Sequence, residues 1–196
     1  IGLTGNIATG KSAVMRLAAE RGALTIDADR VVHDLLATDA AIQSVVVAAF
    51  GPGVRRADGG IDRAVLGGIV FGDADRLRQL EGILHPAVRA EIARRVQMTD
   101  APVIMIEAIK LLEGPLAALC DQVWVTACVR ETQLARLRVC RGLSEADAVA
   151  RIDAQSPQAD KIARADVVID TDGLLRETEE QVFAAWTLLS SGEAPA

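Results

Sequence analysis

Gly5-Asn6-Ile7-Ala8-Thr9-Gly10-Lys11-Ser12, near the N-terminus, makes a complete G-x-x-x-x-G-K-[ST] pattern. Each fixed position has a mechanical use against a phosphate ester. The glycines let the backbone wrap so that its N–H groups point inward around the phosphates. A helix beginning near Lys11 aims its positive end at the same point. Lys11 is then placed to reach β- and γ-phosphates, and the Ser12 hydroxyl to ligate Mg²⁺. All eight residues are therefore candidates for holding Mg·ATP. The loop fixes the ligand and leaves the reaction open. An Asn-Lys-x-Asp element that reads guanine is absent, and the Asp170-Thr171-Asp172-Gly173 run sits where a strand end and turn are expected. A large ATPase motor needs more than 196 residues, so a small kinase fits best.

Three carboxylates have the right setting to serve such a kinase. Asp27 and Asp29 follow an apolar run at 24–26, and Glu107 follows another at 103–106. The C-terminal ends of strands are where open α/β sheets hold ligands. A carboxylate there can orient a hydroxyl and accept its proton. The structural alternatives are that Asp29 caps the next helix and that Glu107 belongs to an ion pair. Asp27 has a further option, contact with Mg²⁺ through water.

The elements that must position these groups alternate between short apolar strands and longer helices, an α/β pattern with a mainly parallel five-stranded sheet. Strands are expected at 1–3, 24–26, 103–106, 122–126 and 167–169. They are apolar throughout, as strands covered on both faces should be. A helix at 11–21 joins the first two. Residues 29–100 lack a convincing strand and read as helical pieces at 30–36, 40–50, 62–69 and 73–96, an insertion suited to an acceptor. Pro86 is expected to interrupt or kink the last of these. A further helical pair at 130–139 and 144–154 carries several arginines, with Ser144 as its N-cap. The reading is one domain over 1–196, with a core of 1–28, 101–128 and 165–196, an insertion at 29–100 and a lid at 129–164.

An ordered series of short motifs runs through almost the whole chain: Gly2-Leu3-Thr4-Gly5, Ile26-Asp27-Ala28-Asp29, Gly59-Gly60-Ile61-Asp62-Arg63 and Leu84-His85-Pro86. It continues with Leu111-Leu112-Glu113, Glu131-Thr132-Gln133-Leu134-Ala135-Arg136, Ala154-Gln155 and Ala165-Asp166-Val167-Val168-Ile169-Asp170. In this the chain resembles the dephospho-CoA kinase family. The resemblance implies a three-layer P-loop kinase fold and transfer of phosphate from ATP, with Mg²⁺, to the 3′-hydroxyl of dephospho-CoA. It implies that Asp29 is the catalytic carboxylate and that Lys11, Arg136 and Arg141 assist the transfer. It also places Asp27, Glu107, His85 and Arg89 toward the acceptor and assigns Ser12 and Asp27 to the metal. His33 has no such support and is expected to be ordinary.

The chain departs from the family pattern in three places. Cys140 stands where a second lid arginine is common, four residues after Arg136, and Arg141 is rotated ~100° from that position. Lys110 interrupts a segment that is usually Pro-Leu-Leu. Thr171 replaces an asparagine that helps to hold adenine, so weaker side-chain recognition of the base is expected. The rivals are another small-molecule P-loop kinase, of nucleoside, nucleotide or gluconate type, and a non-catalytic nucleotide-binding module. Three carboxylates around a phosphate site favour catalysis.

Composition narrows the field further. A net charge of −6, with only three lysines among 21 basic residues, does not suit a general polyanion binder. Five aromatics and no tyrosine supply nucleic-acid stacking poorly, so no nucleic-acid partner is expected. Apolar runs at 45–50 and 69–71 fall short of the ~20 residues of a membrane span. Cys120, Cys128 and Cys140 lack metal-ligand spacing and are expected as buried free thiols in a reducing cytoplasm. No secretory signal is visible. The chain opens on Ile1 inside an apolar stretch, so a few preceding residues are expected.

Overall fold

The computed structural model describes residues 1–191; residues 192–196 of the expected 165–196 core segment lie outside the described residues. Five strands form one sheet: β1 (Gly2–Thr4), β2 (Leu24–Asp27), β3 (Ile104–Glu107), β4 (Val123–Ala127) and β5 (Val167–Asp170). Their order is β2-β3-β1-β4-β5. β1 runs parallel to both β3 and β4, and β4 parallel to β5. The chain leaves β1 toward β2 and leaves β4 toward β5, in opposite directions. The boundary between β1 and β4 is thus the switch point at which such sheets hold ligands, and the glycine-rich loop follows β1 directly.

Two compact units divide the chain: Ile1–Ile26 with the chain from Asp100 onward, and Asp27–Thr99. The first contains α1 (Lys11–Glu20), α6 (Arg130–Arg141), α7 (Glu145–Asp153), α8 (Gln158–Ile162) and α9 (Leu175–Ser191). Its main core joins Leu3, Met105, Trp124 and Ile169 of the sheet to Val14, Leu17 and Ala18 of α1 and to Val182 and Ala185 of α9. Gly2 sits at the start of β1 because a Cβ there would press on Leu111 and on Cys120 Sγ, at 2.6 and 2.9 Å. A smaller cluster of Leu137, Ala148 and Ile152 packs α6 and α7 together, with Ile7 and Ala8 of the loop against it. Ser144 caps α7, accepting the Asp147 amide at 3.1 Å.

The second unit is helical: α2 (Ala28–Thr38), α3 (Ala40–Phe50), α4 (Arg63–Val70) and α5 (Ala74–Gln97). Each helix is opened by an aspartate, Asp27, Asp39, Asp62 and Asp73 in turn, whose carboxylate accepts backbone N–H groups of the first turn. This is the cap preferred at orphaned N-terminal amides. Leu36, Val46, Val54, Ile61, Leu66, Val70, Leu80 and Leu84 form its core.

Pro86 does not interrupt α5, which runs unbroken from Ala74 to Gln97. Leu80, Leu84, Val88 and Ile92 are all buried at four-residue spacing. That line anchors the helix on both sides of the proline. The missing hydrogen bond costs less than giving up either half of that line.

Candidate active site

The loop between β1 and α1 turns through two left-handed glycines and one left-handed alanine: Gly5 at φ 151°, Ala8 at φ 60° and Gly10 at φ 84°. Non-glycine residues rarely adopt such a φ, so Ala8 marks a backbone held by its surroundings. The amides of Ala8, Gly10 and Ser12 donate to no acceptor among the described residues. They open α1, whose first-turn N–H groups lack intrahelical partners. This is the donor array that an anion needs.

Beneath the loop lies a buried stack of hydroxyls. Thr9 Oγ1 donates to the Asn6 carbonyl at 2.8 Å and meets Thr126 Oγ1 of β4 at 2.7 Å. Thr171, just past β5, has its hydroxyl 3.0 Å from the Thr9 carbonyl and 3.1 Å from that of Ala127. A Cβ on Gly5 would stand 2.7 Å from both the Thr126 carbonyl and Thr9 Oγ1. The first glycine is therefore required by close approach as well as by conformation.

Lys11 is buried, and its Nζ donates to the carbonyls of Gly5 and Asn6 at 2.9 and 3.0 Å. Glu107, the last residue of β3, lies 3.9 Å from that ammonium. The ion-pair alternative for Glu107 is thus observed, with the loop's own lysine as partner.

A cavity of about 340 Å³ opens beside the loop, lined by Ala8, Gly10, Ser12, Arg136, Arg141 and Thr171 among others. Arg136 reaches it from α6, donating to the Ala8 carbonyl and to Thr171 Oγ1, both at 3.1 Å, and also to the Thr171 carbonyl. Arg141 lines the same space five residues later, whereas Arg138 points to Glu145 at 3.4 Å. The structure therefore brings Arg136 and Arg141 together at the loop and leaves Arg138 on the surface. Cys140 also borders this cavity and is exposed, which corrects the expectation of three buried thiols. Cys120 and Cys128 are half-buried, and burial pushes both thiols above their ordinary range. None of the three is paired.

Thr171 lines the cavity but spends its hydroxyl on the loop, β4 and Arg136. It acts here as a fastening, and its contribution to a base would come through the backbone and methyl group. β5 ends at Asp170 as expected, its carboxylate accepts the Asp172 amide at 2.8 Å, and Asp172 accepts the Val129 amide, just before α6, through both oxygens at 3.0 and 2.9 Å.

Two glutamines hold the loop from outside. Gln133 of α6 donates to the Ile7 carbonyl at 2.8 Å, and Gln155, after α7, accepts the Ile7 amide at 2.6 Å. The Asn6 side chain donates to the Ser156 carbonyl at 3.1 Å, while its Oδ1 is buried without a hydrogen-bond partner. Gln133 belongs to the Glu131–Arg136 motif, but nothing in the sequence assigned it a contact with the loop. Lys161 and Thr126 were equally hidden. Lys161 is buried and donates to the Ile109 carbonyl at 2.9 Å, steadying the segment after β3.

In the second unit, Asp27 caps α2 by accepting the Arg30 amide at 2.9 Å. The cap that the alternative reading gave to Asp29 is thus made by Asp27, and Asp29 lies in the first turn of α2. His85 and Arg89 are both exposed and four residues apart on α5. The exposed His33 meets the Arg63 guanidinium through Nδ1 at 2.6 Å. Both residues line a cavity of about 640 Å³ in this unit.

The donor set suits a magnesium-bound nucleotide. Ser12 lines the cavity, and no cluster of three or more His, Cys, Asp or Glu among the described residues could cage an ion unaided. An ion held here must take most of its ligands from phosphates and water, which is the habit of Mg²⁺ on nucleotides. No single helix among the described residues is long and apolar enough to cross a membrane.

The dephospho-CoA kinase family model matches residues 1–177. A dephospho-CoA kinase of Symbiobacterium thermophilum is 46% identical over 196 residues, 98% of this chain and 82% of the relative. A dephospho-CoA kinase structure from Campylobacter jejuni superposes with a TM-score of 0.71 at 28% identity, covering 97% of this chain and 96% of the other. A shikimate kinase from Acinetobacter baumannii, solved with shikimate, shares the fold at a TM-score of 0.51 and 15% identity, over 97% and 92% of the two chains.

Proposed function

The chain belongs to the dephospho-CoA kinase family, and from that membership we propose that it transfers the γ-phosphoryl group of Mg·ATP to the 3′-hydroxyl of dephospho-CoA. The products are coenzyme A and ADP. The observation that carries this reading is the cavity where the open amides of the loop face Arg136 and Arg141. Phosphoryl transfer needs positioning and charge neutralisation more than covalent chemistry, and that cavity offers both.

In this reading residues 5–12 seat the triphosphate, with Lys11 turning from loop carbonyls toward the phosphates. Arg136 and Arg141 neutralise charge that spreads over the transferring group, an effect worth ~10³–10⁵ in rate for an arginine delivered on closure. Asp29 orients the 3′-hydroxyl and accepts its proton as the oxygen–phosphorus bond forms and the bond to ADP breaks. Asp27, Glu107, His85 and Arg89 contact the acceptor, and Thr171 borders adenine. Ser12 and Asp27 would hold Mg²⁺, which would supply neutralisation of phosphate charge. The core, helical insertion at 29–100 and lid at 129–164 act as parts of one kinase domain working in the cytoplasm.

The test is ADP release with dephospho-CoA, adenosine, nucleoside monophosphates, pantothenate and gluconate as acceptors. Turnover with dephospho-CoA is expected; turnover only with another acceptor transfers the protein to a rival small-molecule kinase class. Asp29→Asn should bind ATP normally while turnover collapses by at least ~10². Near-normal turnover would remove Asp29 from the mechanism.

A further inference from the structure

We propose that Gln133 and Gln155 are positioning residues that hold the phosphate loop in its binding shape by gripping both sides of Ile7. The inference rests on the reading of the 340 Å³ cavity as the nucleotide site. The residue is held at its amide by Gln155 Oε1 (2.6 Å) and at its carbonyl by Gln133 Nε2 (2.8 Å). These bonds come from separate parts of the helical pair, one from α6 and one from the connection after α7. Gln133 is buried, with 5% of its surface exposed, so its amide has little recourse to water. A third tie, from the Asn6 side chain to the Ser156 carbonyl, joins the same loop to the same connection.

Apart from its side chain's packing against Leu137, Ala148 and Ile152, these are the hydrogen bonds that fix Ile7 among the described residues. The hydroxyl stack of Thr9, Thr126 and Thr171 secures the loop's second half, and Lys11 reaches back to Gly5 and Asn6. Ile7 lies between these anchors, beside Ala8 in its left-handed conformation. Because Gln155 occupies the Ile7 amide, the donors left to phosphate begin at Ala8. The two glutamines thus decide where the phosphate-binding amides start, and they tie that register to α6, the helix that delivers Arg136.

Methionine matches glutamine in length without its donor or acceptor, so Gln133→Met and Gln155→Met remove one bond each with little change in volume. ADP affinity by calorimetry, thermal stability, and hydrogen exchange at Ile7 are to be measured on the full chain. Each variant is expected to weaken ADP binding by roughly three- to tenfold, the worth of one hydrogen bond. The double variant should fall short of the product of the singles, because both bonds fix one residue. Ile7 should exchange faster in Gln155→Met, and the KM for dephospho-CoA should stay at the wild-type value. Wild-type ADP affinity in both variants overturns the proposal. So does an equal loss for both substrates that tracks a lowered Tm, which is the mark of general destabilisation. If the wild-type chain itself fails to bind ADP, the nucleotide reading of the cavity falls, a result separable from failure of the glutamines.

Discussion

Gly5 shows how tightly single positions are constrained around the loop. Its φ of 151° and the two oxygens 2.7 Å from any added Cβ leave no room for alanine. Gly5→Ala must displace either the loop or Thr126, with strain of at least ~1 kcal/mol. ADP affinity is expected to drop by about tenfold or more while far-UV circular dichroism stays unchanged; affinity within twofold of wild type would show that the loop is not held there. This constraint was legible, because the motif itself demands glycine. Thr171 was not. Its position suggested a seat for adenine, but burial to 3% exposure and three protein partners commit its hydroxyl to the fold. Sequence shows that a hydroxyl is present and is silent on which neighbours claim it.

Among the elements, the short strands were the most legible, each falling within a residue of its expected span, because apolar runs covered on both faces have few other uses. α9 was not among the expected helices, although Val182, Ala185, Trp186 and Leu189 fall on one side of it and their spacing carried the signal. Pro86 was expected to interrupt or kink its helix, and α5 is not interrupted there, since tertiary anchoring holds both halves. On the same helix, Glu91 is gripped by Arg94 and Arg95 at 2.7 and 2.8 Å. Hydrogen bonds from those guanidiniums pull its carboxyl from 4.5 down to about 2. A depressed carboxylate stabilises the fold above its unfolded value and loses that effect as pH falls through the folded one. The pair is surface-exposed, so Glu91→Gln should lower Tm at neutral pH by only about 1–4 °C. The deficit should shrink as pH falls from 4.5 toward 2; a constant deficit would mean that the ion pair is not its source.

At the scale of the molecule, the acidic balance and the anionic substrates are reconciled by placement. The chain carries −6 overall, yet Arg136 and Arg141 line the cavity by the loop and Lys11 is buried within the loop itself. Hydrogen exchange with and without Mg·ADP tests that arrangement across the whole chain. Protection is expected at residues 5–12 and in the segments bearing Arg136 and Thr171, while the cores of α3 and α4 exchange at unchanged rates. Protection confined to the second unit would place the nucleotide elsewhere.

The 2.7 Å contact between Thr9 and Thr126 bears on a different question, whether the eight-residue signature can be transplanted. The motif reads as self-sufficient, but one of its hydroxyls is seated on a strand more than a hundred residues away. A graft of residues 5–12 onto a foreign strand–helix junction would carry the letters without their support. A designer who wants this loop to hold phosphate must bring the threonine of β4 with it.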